Sequence, residues 1–153
     1  MSERSPKPGD KRIPSTHRDS EGRKLCTNCL RYKEESEFQR GSAKDGLQSH
    51  CEDCVYFRGL RRKHGLSKWD WVQLVSRTGG CGICGSLVSG SPHTDRLSVD
   101  HDHSCCPDYN NTCGSCVRGV LCHSCNLGLG YFKDSKELLT KAMDYLGSSE
   151  GNT

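Results

Sequence analysis

The sequence predicts a small α+β fold that bound zinc holds together, and three observations support this. Only 32% of the 153 residues are hydrophobic and 27% are charged, so apolar burial alone is not expected to offset the entropy lost in ordering the chain. The 12 cysteines supply another source of stability, because CxxC pairs in a reducing compartment bind zinc more often than they form disulfides. Short alternating segments and amphipathic segments predict strands and helices respectively.

The N-terminal segment is polar, charged and proline-containing, with almost nothing apolar. This composition predicts a disordered tail over residues 1–24, and residues 148–153 are expected to form a second one. We find no apolar stretch typical of a secretory signal and none as long as a membrane span. We therefore expect a cytoplasmic protein without a membrane partner.

A zinc-binding module with a basic linker is predicted over residues 25–65. It contains the knuckles CTNC and CEDC. Each CxxC turn presents two thiolates to one metal, and zinc prefers four such ligands in a tetrahedron. The pair of knuckles therefore predicts one zinc site, with the ligands Cys26, Cys29, Cys51 and Cys54.

Basic residues are concentrated between Val55 and Trp69, where there is no acidic residue. The formal net charge of +3 hides this local excess, which is the kind that nucleic acid attracts. The spacing can place much of the charge on one surface. The predicted DNA-binding residues are Arg58, Arg61, Arg62 and Lys63.

A second domain is expected over residues 66–147, beginning with a helix. Ser67 and Asp70 fit the N-cap and N3 positions of a capping box, and the glycine pair at 79–80 ends the helix. Residues 97–100 alternate as a half-buried strand does, and residues 117–121 form a second strand candidate.

A final helix is predicted to end the second domain. Asp134 and Glu137 fit a capping pair, apolar residues recur on one face, and Gly147 supplies a stop. This helix is the candidate contact for a homodimer.

A second zinc site is predicted inside this domain, with the ligands Cys81, Cys84, Cys122 and Cys125. The zinc would close a long folded insertion. Four further cysteines lie within that insertion, at positions 105, 106, 113 and 116. They fit either a third zinc site or a reducible bridge, and we favour the zinc although adjacent cysteines suit a regular tetrahedron poorly.

The insertion also carries Asp-His-Asp-His at residues 100–103, at the end of a predicted strand. Alternation would send Asp100 and His101 to opposite faces, so a site that uses both requires the strand to end or bulge there. Phosphodiester hydrolysis needs an activated water and a cation. A neutral histidine and a carboxylate-bound divalent ion supply them.

The string VDHDH, with VRGVLCHSCNLGLGYFKD downstream, resembles the recombination endonuclease VII family of phage and bacterial HNH enzymes. The resemblance covers residues 81–132. It implies a ββα-metal (His-Me finger) nuclease domain that hydrolyses DNA, with branched or recombination DNA among the candidate substrates. If the gene belongs to a phage, the location would be the host cytoplasm.

The resemblance also implies a role for each matching residue. Asp100 resembles the carboxylate ligand of the catalytic metal, and Asn126 resembles the amide ligand. His101 resembles the general base, and His103 the second active-site histidine, which holds the phosphate or the leaving oxygen. Arg118 lies where a phosphate contact is expected, although a surface arginine on a strand explains it equally well.

The sequence departs from the family pattern in two places. SCCPDYNNTCGSC stands where many relatives have a short turn, and the third HNH histidine expected after Asn126 is missing. Water or substrate oxygens would then complete the metal shell, which suits Mg²⁺ or Mn²⁺. The N-terminal FQRGSAKDGLQSHCEDC resembles the zinc-ribbon segments that precede phage HNH domains.

Two other interpretations are open. A non-catalytic zinc-finger protein that binds nucleic acid would need only the knuckles and the basic residues. A thiol redox or metal-storage protein is the other, and the regular pairing of knuckles argues against it. Asp100, His101 and Asn126 favour the nuclease, because a binding protein has no need of them.

Overall fold

The computed structural model describes residues 14–108 and 111–148. The chain divides into two compact units, with the boundary between Ser67 and Lys68. Each unit combines a short antiparallel hairpin with helices, so the α+β prediction is confirmed. Among the described residues, no helix has the length and apolar character needed to cross a membrane.

The first unit begins with a hairpin of β1 (Lys24–Leu25) and β2 (Tyr32–Lys33), and the first knuckle forms its turn. A 3₁₀ turn follows at Glu35–Glu37. Helix α1 (Glu52–His64) starts within the second knuckle and ends at Gly65, whose φ of 67° suits glycine.

The predicted N-terminal tail is too long, because residues 14–24 carry defined structure. The backbone of Arg18 forms an isolated antiparallel β-bridge with Lys24, and its side chain forms ion pairs with Glu35 and Asp45. The Lys24 side chain is fully buried, and its Nζ lies 2.5 Å from an oxygen of Asp45. Composition missed this order because ion pairs, and not apolar side chains, hold the segment. Residues 1–13 and 149–153 of the predicted tails lie outside the described residues.

The second unit begins with α2 (Lys68–Thr78), which follows Ser67 and precedes the glycine pair as predicted. Gly80 has a φ of 131°, and a β-carbon there would lie 2.7 Å from the carbonyl oxygens of Gly85 and Ser86. The close backbone approach beside the second pair of knuckles therefore requires glycine.

The centre of the second unit is the antiparallel hairpin of β3 (Ser98–His101) and β4 (Val117–Leu121). Both strands lie where the sequence predicted them. Helix α3 (His123–Tyr131) follows β4 directly and contacts β3, while α2 packs on β4. Buried Leu97 and Val120 anchor the hairpin in the core.

Helix α4 (Lys136–Gly147) is present and includes the predicted stop, but its predicted cap is wrong. Ser135 is the N-cap, and its hydroxyl accepts a hydrogen bond from the Leu138 N–H at 3.2 Å. Asp134 precedes the cap with a φ of 53°, and its carboxylate binds side chains of the hairpin.

Candidate active site and metal centres

The cysteines form three groups of four, and within each group the four Sγ atoms lie within 4.8 Å of one another. Two of the groups are the predicted zinc sites. The groups comprise Cys26, Cys29, Cys51 and Cys54; Cys81, Cys84, Cys122 and Cys125; and Cys105, Cys106, Cys113 and Cys116.

The sulfur spacing in the two predicted sites fits tetrahedral zinc. With Zn–S bonds of about 2.3 Å, the edges of a regular tetrahedron are about 3.8 Å long. The Sγ atoms of Cys26 and Cys54 are 3.7 Å apart, and those of Cys84 and Cys122 are 3.6 Å apart. All the cysteines are free thiols, so these edges do not reflect disulfides. The donor sets therefore fit zinc.

Hydrogen bonds favour the thiolate form of one cysteine in each predicted site. Burial by itself raises the pKa of Cys26, but backbone N–H groups of Cys29 and Cys51 oppose it and lower the pKa to about 7. The pKa of Cys81 falls to about 6 for the same reason, again against burial. Zinc binds the deprotonated thiol, so each site holds one cysteine that favours the form that zinc binds, whereas burial raises the pKa of Cys51 and of Cys125.

A β-bulge lies at the point where the sequence argument required the strand either to end or to bulge. Asp100 pairs with Gly119 and His101 pairs with Val117, so Arg118 is the extra residue on β4. A bulge twists the strands locally and redirects side chains. Asp100 and His101 are both buried there, at 8% and 5% exposure.

Arg118 holds the Asp100 carboxylate through one edge of its guanidinium, formed by Nε and Nη2. Its Nε lies 2.7 Å from Oδ2, and its Nη2 lies 3.0 Å from Oδ1. Nη2 is also 3.4 Å from an oxygen of Asp134. The hydrogen bond to Asp100 raises the pKa of Arg118 above its usual value, despite partial desolvation. The predicted phosphate-contacting arginine is therefore bound to the predicted metal-ligating carboxylate.

The two histidines of the DHDH string contact each other edge to face, with ring centroids 4.5 Å apart. His101 Nε2 lies 3.3 Å from the carbonyl oxygen of Cys106. Because a carbonyl only accepts, this contact is a hydrogen bond when Nε2 carries the proton. His103 Nδ1 lies 2.8 Å from Asp134 Oδ2.

A cavity of about 390 Å³ borders the hairpin, α2, α3 and the start of α4. Asp100, Arg118 and Asp134 line it together with Leu129 of α3. Asn126 is exposed on α3, one helical turn before Leu129, and is not among the lining residues. The carboxylates of Asp100 and Asp134 and the guanidinium of Arg118 thus line the cavity beside the bulge, while the amide of Asn126 lies on the turn of α3 that precedes Leu129.

Asp134 is the residue of this site that the sequence argument missed. Its carboxylate bridges His103 and Arg118. The sequence argument assigned it to a helix cap, because Asp followed by Glu three residues later fits a capping pair. Its place at the end of the string VRGVLCHSCNLGLGYFKD was the only signal of another role.

The predicted basic patch lies on the second half of α1, in the first unit. Arg58, Arg61 and Arg62 are exposed and share one face at i, i+3 and i+4, while Lys63 is half-buried beside them. Cations in the last turn of a helix also stabilise it against its dipole. The helix therefore presents concentrated positive charge to solvent.

Residues 60–148 match the family model of recombination endonuclease VII, which is more than half of the chain. The chain therefore belongs to that family, as its sequence motifs predicted.

Two relatives are phage proteins. The Gene 59 protein of Mycobacterium phage D29 is 39% identical over 77 residues, covering 50% of this chain and 39% of that protein. The Gene 59 protein of Mycobacterium phage L5 is 35% identical over 85 residues, covering 54% of this chain and 44% of that protein. The matched part is thus less than half the length of these relatives.

A solved structure is also similar, the ββα-Me type II restriction endonuclease Hpy99I. The identity is 26%, and the match covers 83% of this chain and 66% of that one with a TM-score of 0.34.

Proposed function

We propose that this protein is a metal-dependent DNA endonuclease of the HNH, or ββα-metal, type. The proposal depends most on one observation: the consecutive residues Asp100 and His101 are both buried at the bulge that ends β3, in a hairpin that the second group of four cysteines flanks. Membership of the recombination endonuclease VII family supports it. The product ends would be a 3′-hydroxyl and a 5′-phosphate, and branched or recombination DNA is among the candidate substrates.

His101 is the proposed general base. Its Nε2 lies 3.3 Å from the Cys106 carbonyl oxygen, a contact that orients the ring, and a neutral imidazole has the basicity to take a proton from water. His103 is held at Nδ1 by Asp134, so Nε2 of a protonated ring would donate to the phosphate or the leaving oxygen.

Asp100 and Asn126 are the proposed ligands of a Mg²⁺ or Mn²⁺ ion. A carboxylate has about four lone-pair sites, and Arg118 uses one on each Asp100 oxygen, so the carboxylate retains capacity for a cation. The ion would neutralise charge on the phosphate and the departing oxygen. Leu129, one turn after Asn126, offers no ligand, so water and substrate oxygens would complete the shell.

Two or three structural zinc ions and the basic face of α1 complete the proposal. Zinc would stabilise both units, each of which has a small apolar core. Arg58, Arg61, Arg62 and Lys63 would bind the DNA backbone through their charge.

A DNA-binding protein without catalysis is the second candidate. The bidentate Arg118–Asp100 pair favours it, because such a pair also serves as a purely structural link across a hairpin.

Incubation of supercoiled plasmid and of a four-way junction with the zinc-loaded protein and Mg²⁺ separates the two. Cleavage is expected, and it should be lost in His101→Ala but kept in His93→Ala, an exposed histidine of the same unit. Binding without any cleavage by the unmodified protein would favour the second candidate.

A further inference from the structure

The loop between β3 and β4 spans residues 102–116 and carries four cysteines that neither predicted zinc site uses. Among the described residues of this loop, Thr112 is the only buried one. Hydrophobic burial therefore contributes little to its conformation, and ordering a loop of this length costs entropy. Some other interaction has to hold it.

The loop sulfurs have the same spacing as the sulfurs of the two predicted sites. The Sγ atoms of Cys105 and Cys113 are 3.8 Å apart, and those of the adjacent Cys105 and Cys106 are 3.9 Å apart. Both distances fit the edges of a tetrahedron around zinc, which are about 3.8 Å. The adjacent pair, which seemed awkward from sequence, therefore contributes both sulfurs.

Hydrogen bonding to sulfur is also shared with the first site. The Cys113 N–H donates to Cys106 Sγ at 3.3 Å, as the Cys51 N–H donates to Cys26 Sγ at 3.3 Å. A disulfide needs sulfurs about 2.05 Å apart, and all four loop cysteines are free thiols.

We propose that Cys105, Cys106, Cys113 and Cys116 bind a third structural zinc ion, and that this zinc positions His101. The positioning of His101 rests on the proposed function, whereas the binding of zinc by the loop does not.

The coupling to His101 runs through the backbone of two ligands. The Cys106 carbonyl faces Nε2 of His101, and the Cys116 carbonyl accepts the N–H of Asp102 at 3.0 Å. The loop zinc thus fixes the acceptor of the His101 ring and the backbone of the residue that follows it. Cys106 is in this sense a positioning residue, which acts on the reaction only through His101.

Elemental analysis of the full chain, purified under reducing conditions, tests the metal site. We expect three zinc ions in the unmodified protein, two in Cys113→Ser, and three in the control Ser104→Ala, which changes the same loop but keeps every thiol. Two zinc ions in the unmodified protein, or three in Cys113→Ser, would overturn the proposal.

A second measurement needs no variant. Stepwise loading of the metal-free, reduced chain with Co²⁺ should give the absorption of tetrahedral thiolate-bound cobalt up to three equivalents. Saturation at two equivalents of Co²⁺ would contradict the third site. A thiol count of the denatured chain below 12 would show that cysteines have formed a disulfide, and would contradict it as well.

The positioning role is tested by NMR of the His101 ring nitrogens. Nε2 is expected to carry the proton in the unmodified protein and in Ser104→Ala, and to lose its fixed tautomer in Cys113→Ser. Unchanged ring signals with only two zinc ions bound would refute the positioning role. Zinc content and ring signals require no cleavage, so a protein without nuclease activity would refute the proposed function and leave the third site standing.

Discussion

Arg118 and Asp100 form a bidentate pair across the β3–β4 bulge, with Nε–Oδ2 and Nη2–Oδ1 distances of 2.7 and 3.0 Å. Arg118 is the extra residue of the bulge, so the irregularity that shifts the register between Asp100 and His101 also supplies the cation that holds Asp100. The pair therefore links the shape of the hairpin to the charge of the proposed metal ligand.

Arg118→Ala should destabilise the second unit by about 1–3 kcal/mol, because it leaves a buried carboxylate without its charged partner. It should also strengthen Mg²⁺ binding, since the Asp100 oxygens would no longer share their lone pairs with a cation. Thermal unfolding and calorimetric Mg²⁺ titration measure the two effects. Arg118→Lys keeps the charge but not the bidentate geometry, so its melting temperature and Mg²⁺ affinity should lie between those of the unmodified chain and of Arg118→Ala. An unchanged melting temperature in Arg118→Ala would contradict the structural role.

Asp45→Asn should destabilise the first unit by about 3 kcal/mol, because it leaves the fully buried Lys24 ammonium without an ionised partner. This is the low end of the range for a buried pair, since the Asp45 side chain keeps 15% exposure. The double variant Lys24→Met/Asp45→Leu should recover much of the loss. Chemical denaturation of the zinc-loaded chains at pH 7 gives these values, and equal stability of all three would show that the pair contributes nothing.

The same pair predicts an acid dependence. The hydrogen bond from Lys24 is the main cause that lowers the pKa of Asp45 from 3.8 to about 2. Ionised Asp45 therefore stabilises the folded state fully above about pH 4, and this contribution is lost as the pH falls towards 2. The stability difference between the unmodified chain and Asp45→Asn should narrow over that interval. A constant difference would exclude the pair as its source.

Substituting Gln for Arg58, Arg61, Arg62 and Lys63 should weaken DNA binding and reduce its dependence on salt. Up to four phosphate contacts would be lost, which lowers the slope of log affinity against log salt by at most about 3.6 for duplex DNA. A matched control replaces four basic residues outside α1, namely Arg31, Arg40, Lys44 and Lys141. Equal effects of the two sets would mean that α1 has no special part in binding.

Much of the site could be predicted because spacing constrains it. The spacing of the CxxC pairs predicts two groups of four cysteines, and both are present. Alternation along a strand shows that Asp100 and His101 can act together only at a strand end or a bulge. The bulge is present. What alternation does not give is which strand carries the extra residue, and hence that Arg118 lies beside Asp100.

The rest of the site depends on contacts distant in sequence. Both Asp134 and Ser135 are residue types that can cap α4. Ser135 is the N-cap, while the Asp134 carboxylate pairs with His103, which is distant in sequence. Order in residues 14–24 likewise depends on Asp45, which composition does not reveal.

The most direct test of the proposed nuclease measures the cleavage rate against Mg²⁺ concentration for the unmodified chain, His101→Ala, Asp100→Ala and Asn126→Ala. His101→Ala should lose roughly 10²- to 10⁴-fold in rate at every Mg²⁺ concentration, because added cation cannot take a proton from water. Asp100→Ala and Asn126→Ala should instead need more Mg²⁺ and be partly rescued by it. Zinc content and DNA binding should be unchanged in all three; full activity of His101→Ala, or loss of zinc from Asn126→Ala, would contradict the account.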